Sequence, residues 1–184
     1  MIPNPHAIPL FSRVFYYLRH GETTSNRDRT IAGSLDVELT DAGRTQARTA
    51  VALIAPLGIT AVSCSSLRRA RDTAAIIANA LKLTVTPIAE LNERNWGKYE
   101  GKPRALRIRG MTPPGAETPQ QYVERTVRGL AGIPPSGVPL IAAHSGTYRV
   151  LCRLIGHEEG LEPIANCHPV RIAPADGTWR VEML

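Results

Sequence analysis

The chain of 184 residues can bury one α/β core and is short for two, so a single domain over residues 1–184 is expected. Hydrophobic residues make up 43% and charged residues 21%, ordinary globular values that exclude a disordered or fibrous chain. The net charge of +6 is mostly arginine, scattered without a lysine-rich run or interleaved aromatics; this favours a small anionic partner and argues against nucleic acid.

The opening apolar run, residues 7–18, is interrupted by Pro9, Ser12 and Arg13 and is too short to cross a bilayer. Neither a signal peptide nor a membrane association is expected. Within it, residues 14–18 (Val-Phe-Tyr-Tyr-Leu) predict a buried strand that delivers Arg19 and His20 to its carboxyl end. Thr40 or Asp41 then caps a helix marked by Ala47, Ala50, Val51 and Ile54, stopping near Pro56 and Gly58. Residues 59–64 predict a second strand. Ser65 and Ser66 lead from it into a helix whose apolar face holds Ala70, Ala74, Ile77, Ala78 and Leu81.

Residues 85–91 read as extended, and residues 92–115 as loops with at most one short helix. The segment from about 94 to 117 is the natural flap over a site. A helix follows over about 118–130, then a strand over 138–143 that ends at His144, then a helix over 148–155 stopped by Gly156. Residues 170–173 and 179–183 predict late strands. The fold class is therefore α/β, a three-layer α/β/α sandwich around a mostly parallel open sheet, with His20 and His144 at strand ends where such sheets bind ligands.

Cys64, Cys152 and Cys167 are odd in number and widely spaced, which fits neither a disulfide framework nor a metal cluster and points to a reducing cytoplasm. There is no P-loop, no acidic metal-binding cluster and no Gly-rich dinucleotide fingerprint, so no cofactor or metal is expected. His6, His157 and His168 lack a surrounding motif and read as structural or exposed; Trp96 and Trp179 read as packing residues, Trp96 within the flap.

Arg19-His20-Gly21-Glu22-Thr23 sets a cation for phosphate beside a nitrogen nucleophile, and Gly21 lets the backbone turn. Four further elements follow in order: Asn26; the helix opening Ser66-Leu67-Arg68-Arg69-Ala70-Arg71-Asp72-Thr73-Ala74; Leu91-Asn92-Glu93-Arg94 before Trp96-Gly97; and Ala142-Ala143-His144. With these the sequence resembles the histidine phosphatase superfamily, its phosphoglycerate mutase-like branch in particular. The match runs on through Gly33, Asp36, Leu39-Thr40, Gly43, Gln46-Ala47, residues 114–118 and Arg149.

The resemblance implies that His20 is the nucleophile that becomes phosphohistidine, with Arg19, Arg69 and His144 gripping the phosphoryl oxygens and Glu93 giving the leaving oxygen its proton. It places Asn26, Gly33, Thr23 and Ser145 around the substrate. The chemistry agrees with the residue types. Guanidinium stays charged and donates paired hydrogen bonds to phosphate, and an unprotonated imidazole nitrogen is accessible near neutrality. Glu90 and Glu100 compete with Glu93 on sequence alone and read as surface residues, as do Arg68 and Arg71. Arg104, Arg107 and Arg109 read as an exposed basic turn or as contacts to a second anionic group.

The chain departs from the family pattern at Ser145, where glycine is usual, at Ala32, where mutases carry a hydroxyl, and in the short stretch between Gly101 and Pro113. The last two favour hydrolysis of a small phosphorylated metabolite over mutase chemistry. A cofactor-dependent phosphoglycerate mutase and a catalytically silent phosphate-binding protein are the alternatives. Any oligomer is expected to be a homodimer.

Overall fold

A computed structural model describes residues 8–108, 110–157 and 164–184. His6 and Arg109, named above, lie outside the described residues. Six strands, β1 (Phe15–Arg19), β2 (Ala61–Ser65), β3 (Val85–Ile88), β4 (Pro139–Ala143), β5 (Pro169–Ala175) and β6 (Thr178–Met183), form one sheet in the order β3-β2-β4-β1-β5-β6. β3, β2, β4 and β1 run parallel, while β5 and β6 close one edge as an antiparallel hairpin. The sheet is therefore mostly parallel, as expected, with an antiparallel pair of strands at one edge.

Among the described residues the α-helices are α1 (Thr24–Arg27), α2 (Asp41–Ile54), α3 (Arg68–Leu81), α4 (Pro119–Ala131) and α5 (Ser145–Leu154). Alternation along β1 and β4 feeds two cores. Tyr16, Leu18, Leu140 and Ala142 pack with Ala47, Ala50 and Ile54 of α2 and Ala74 and Ile77 of α3. Phe15, Tyr17, Ile141 and Ala143 face the other way, against Tyr122 and Leu130 of α4 and Tyr148 and Leu151 of α5. These faces make the three layers.

Several element boundaries differ from the sequence expectation. The extended stretch after residue 85 ends at Ile88, because residues Ala89–Leu91 turn as a 3₁₀ helix that brings Glu93 back toward the sheet. The flap holds two 3₁₀ turns, Gly97–Tyr99 and Arg104–Leu106, in place of one helix at most. α5 starts three residues earlier than expected, directly on His144, whose carbonyl accepts the Tyr148 N–H at 3.0 Å. α1 escaped notice because one turn carries no periodicity.

α2 clamps the loop after β1. Thr40 caps the helix by accepting the Gly43 N–H, Glu22 N–H donates to Gln46 Oε1 at 2.8 Å, and the Thr40 hydroxyl donates to the Glu22 carboxylate at 2.8 Å. The approach needs glycine on both sides: a Cβ at Gly43 would strike the Glu22 carbonyl, and one at Gly21 would strike the Gly43 carbonyl. Gly43→Ala is therefore expected to destabilise the fold by about 1–3 kcal/mol, read as a lower urea midpoint with unchanged slope. A midpoint equal to wild type would show that the clamp yields freely.

Candidate active site

β1 and β4 are parallel neighbours with Arg19 paired to Ala143, so their carboxyl ends release His20 and His144 side by side. The two rings meet edge-on, centroids 5.2 Å apart at 60°. Both are buried, at 5% and 0% exposure. The His20 main chain is pinned by its own N–H to the Ala143 carbonyl at 3.0 Å and by Asn166 Nδ2 donating to its carbonyl at 2.6 Å. The Gly21 N–H donates to the Thr73 hydroxyl at 3.0 Å.

The His20 tautomer follows from one contact. Its Nδ1 lies 2.7 Å from the Gly21 carbonyl oxygen, which can only accept, so Nδ1 carries the proton and Nε2 holds a free lone pair. Burial pushes the His20 pKa well below its usual value, and the charges of Arg69 and Arg19 push it further. Burial first, and then Arg69, His20 and Arg19, act on His144 in the same direction. Both rings are neutral at pH 7 in the ligand-free protein.

This has a sign for stability. Below about pH 6.5 the unfolded chain binds protons at both histidines and the folded chain does not. The stability present above that pH is therefore lost as pH falls, by up to about 1.4 kcal/mol per pH unit for each ring. Urea titrations between pH 7 and 5.5 read the slope; a flat profile would contradict neutral buried rings.

The cationic wall comes from β1 and α3. Arg19 donates from Nη1 to the Ile164 carbonyl at 2.8 Å. Arg69, only 1% exposed, donates from its two terminal nitrogens to the carbonyls of Leu35 at 2.8 Å and Gly33 at 2.7 Å, and so ties the loop at Gly33 to the strand ends. Burial lowers its guanidinium to about 10, which leaves it charged at neutral pH. Gly33 has φ +53°, and a Cβ there would strike the Glu100 carboxylate. Glu100 is no bystander: it accepts from Ser34 N–H at 2.7 Å and Trp96 N–H at 3.0 Å, joining this loop to the flap.

Glu93 is held by three donors. Its Oε1 accepts from the Arg94 N–H at 2.8 Å and the Tyr122 hydroxyl at 2.9 Å, and its Oε2 accepts from the Gly146 N–H at 3.0 Å in the first turn of α5. A Cβ at position 146 would strike the same carboxylate. Arg125 braces the segment, donating to the carbonyls of Glu90 and Asn92 while gripping Glu117 in a two-pronged ion pair at 2.8 Å. Arg94 is structural as well, with Nε on the Glu117 carbonyl and Nη2 on that of Met111, and its guanidinium stacks 4.4 Å from the Trp96 ring centroid.

These side chains enclose a cavity of about 130 Å³. Of the sequence-predicted residues, Arg19, His20, Asn26, Gly33, Arg69, Glu93 and Ser145 line it. Arg104, Arg107, Arg149, Ala32 and Trp96 line it too, giving five arginines against one carboxylate. His144 meets His20 edge-on beside that lining, with its ring nitrogen Nδ1 buried and without a hydrogen-bond partner. Thr23 also stands back: its hydroxyl and N–H are engaged with Asn26 in a capping box at the start of α1, so it orients Asn26 and does not reach the cavity. Asn26 Oδ1 is taken up by that box, leaving its amide NH₂ as the group to meet a ligand.

Asn166, Tyr122 and Arg125 were missed from sequence because an isolated Asn, Tyr or Arg carries no spacing signal. Arg149 stood in the family match alone; its place on the Ser145 face of α5, four residues on, follows from the earlier start of that helix. All three cysteines are free and buried. Among the described residues no group of His, Cys, Asp and Glu could hold a metal ion, and no helix is long and apolar enough to cross a membrane.

Comparison with known proteins agrees with this architecture. The chain is 29% identical over 174 residues to the "Uncharacterized phosphatase PhoE" of Bacillus subtilis (strain 168), covering 90% of each chain. It is 31% identical over 200 residues to the "2,3-bisphosphoglycerate-dependent phosphoglycerate mutase 2" of Gloeobacter violaceus, covering 88% of this chain and 86% of that one. Among solved structures, the alpha-ribazole phosphatase from Shigella flexneri superposes with a TM-score of 0.80 at 25% identity, over 93% of this chain and 95% of that one. The relatives are phosphatases and mutases alike, which makes this chain a phosphoryl-transfer enzyme. The family model described as the histidine phosphatase superfamily (branch 1) matches residues 15–184, and the chain belongs to that superfamily.

Proposed function

We propose that the protein is a phosphomonoester hydrolase that works through phosphohistidine on a small anionic metabolite. One observation supports it most: the free Nε2 lone pair of His20 stands in a cavity whose walls are Arg19, Arg69 and Glu93. The His20 lone pair forms the N–P bond as the P–O bond to the leaving group breaks. Arg19, Arg69 and the Asn26 amide meet charge on the non-bridging oxygens. Glu93, protonated, passes its proton to the departing oxygen, and the resulting carboxylate faces three donors.

In the second half Glu93 takes a proton from water, whose oxygen attacks phosphorus, and the N–P bond breaks to release inorganic phosphate. No metal takes part in this scheme. Arg104, Arg107 and Arg149 in the same wall suit a leaving group with negative charge of its own. The alanine at 32 supports net hydrolysis, since no hydroxyl there retains a phosphorylated intermediate for return transfer.

Incubation with 3-phosphoglycerate and a bisphosphoglycerate primer tests the reaction class. A hydrolase releases inorganic phosphate from phosphomonoesters and forms no 2-phosphoglycerate. Conversion of the 3-phospho to the 2-phospho isomer without phosphate release would make the protein a mutase.

A further inference from the structure

The hydrogen bonds behind His144 determine where its proton sits. Asn92, on the loop that carries Glu93, places one side-chain atom 2.9 Å from the main-chain N–H of Ser66. An N–H can only donate, so that atom is the carbonyl Oδ1. The Ser65 hydroxyl lies 2.8 Å from the same oxygen and must donate to it, which uses its single proton. Ser65 Oγ also receives the Leu67 N–H at 3.2 Å. The remaining contact, 2.7 Å to His144 Nε2, therefore has the imidazole as donor. With Nε2 protonated and the ring neutral, Nδ1 is a bare lone pair, and it is buried without a hydrogen-bond partner.

Such a nitrogen cannot donate to the oxygen of an anion. We infer that Ser65 and Asn92 are positioning residues that lock His144 in its Nε2–H form, so that a fully deprotonated anion enters the site only together with one proton, taken from solvent onto His144 Nδ1. The inference rests on the reading of the cavity as a phosphoryl pocket. The charged and titratable groups that act on the ring are Arg69 from α3, His20 just after β1, Arg19 at the end of β1, and Arg125 from α4. Glu93 caps the first turn of α5 that starts from His144, and the Tyr17 hydroxyl holds the His144 main chain, donating to its carbonyl at 2.7 Å.

The surrounding guanidinium groups and burial keep the ring neutral while the site is vacant, and a bound dianion reverses that balance by supplying the opposite charge. The proton then stays on His144 Nδ1, donating to a non-bridging oxygen, while the phosphoryl group is on His20. It leaves when inorganic phosphate departs. Product release is accordingly faster, and inhibition by phosphate weaker, as pH rises.

Sulfate is the probe, because it carries no proton of its own except in strong acid. In protein labelled with ¹⁵N-histidine at pH 8, free His144 is expected to show a protonated Nε2 and an unprotonated Nδ1. Saturating sulfate is expected to convert Nδ1 to the protonated form with Nε2 unchanged. Sulfate affinity should fall about tenfold per pH unit above neutrality, the slope for uptake of one proton. Ser65→Ala, which removes the acceptor of Nε2–H, should let the ring adopt the Nδ1–H form, so that sulfate binds with no added proton and a flat pH dependence.

Protonated Nδ1 in the free protein, or Nδ1 still bare with sulfate bound, would overturn the inference and leave the anion pocket standing. Absence of any sulfate effect on either ring would overturn the pocket reading as well. The wild-type spectra decide the matter even if the Ser65 variant fails to fold.

Discussion

Replacing His20 by alanine is expected to lower kcat/KM by on the order of 10⁴-fold or more, because the covalent half-reactions both run through its Nε2. The other lone-pair bearers in the cavity lining offer no substitute. The Ser145 hydroxyl is buried without a hydrogen-bond partner, so nothing is placed to take its proton. Arg19 and Arg69 remain, so the variant should still bind sulfate. Rates for a phosphomonoester panel before and after the change check this; activity within tenfold of wild type would assign the nucleophile elsewhere.

Glu93→Gln should show the second largest effect, and one that depends on the leaving group. For alkyl phosphates, whose departing oxygen needs a proton, the expected loss is about 10²–10⁴-fold. For aryl phosphates with an acidic phenol the first step needs little help, but water still lacks its base. The phosphoenzyme should then accumulate as a burst followed by slow turnover. The amide also places an NH₂ where Oε2 accepted the Gly146 N–H, so part of the loss is geometric. Equal losses for both substrate classes, with no burst, would remove Glu93 from proton transfer.

Much of this arrangement was legible because strands and helices here obey simple patterning. The run at 14–18 and the run at 138–143 are short, apolar and β-rich, and both end at a histidine, which sets two imidazoles at neighbouring strand tips once β1 and β4 pair. The cap expected at Thr40 or Asp41 forms at Thr40, and the helix expected from about residue 118 is capped by Thr118. The antiparallel hairpin β5–β6 was legible but not drawn: Asp176-Gly177 is a two-residue hairpin signal, and a connection that short cannot return a parallel strand.

The functional assignment of residues was uneven for a physical reason. Side chains that meet a ligand alternate in sequence with side chains that hold them, and both kinds are polar. Thr23 and Asn26 share one capping box, yet only Asn26 reaches the cavity. Glu100 and Glu93 are both acidic residues of the loop region after β3, but Glu100 braces Gly33 and the flap whereas Glu93 lines the cavity. Three-dimensional hydrogen bonding separates them, and residue type does not. The same holds for Ser65 and Asn92, whose part in orienting His144 depends on a main-chain N–H 26 residues away from Asn92.

Acid-stable trapping is too harsh for a phosphorus–nitrogen bond, so the decisive measurement is made in alkali. The protein is mixed with a phosphomonoester, quenched at high pH, digested, and the site of phosphorylation read by mass spectrometry, with phosphorus NMR locating the ring nitrogen. The account predicts one phosphoryl group, on Nε2 of His20. A phosphoryl group on any other residue or on Nδ1, or turnover with no phosphoenzyme at all, would contradict it.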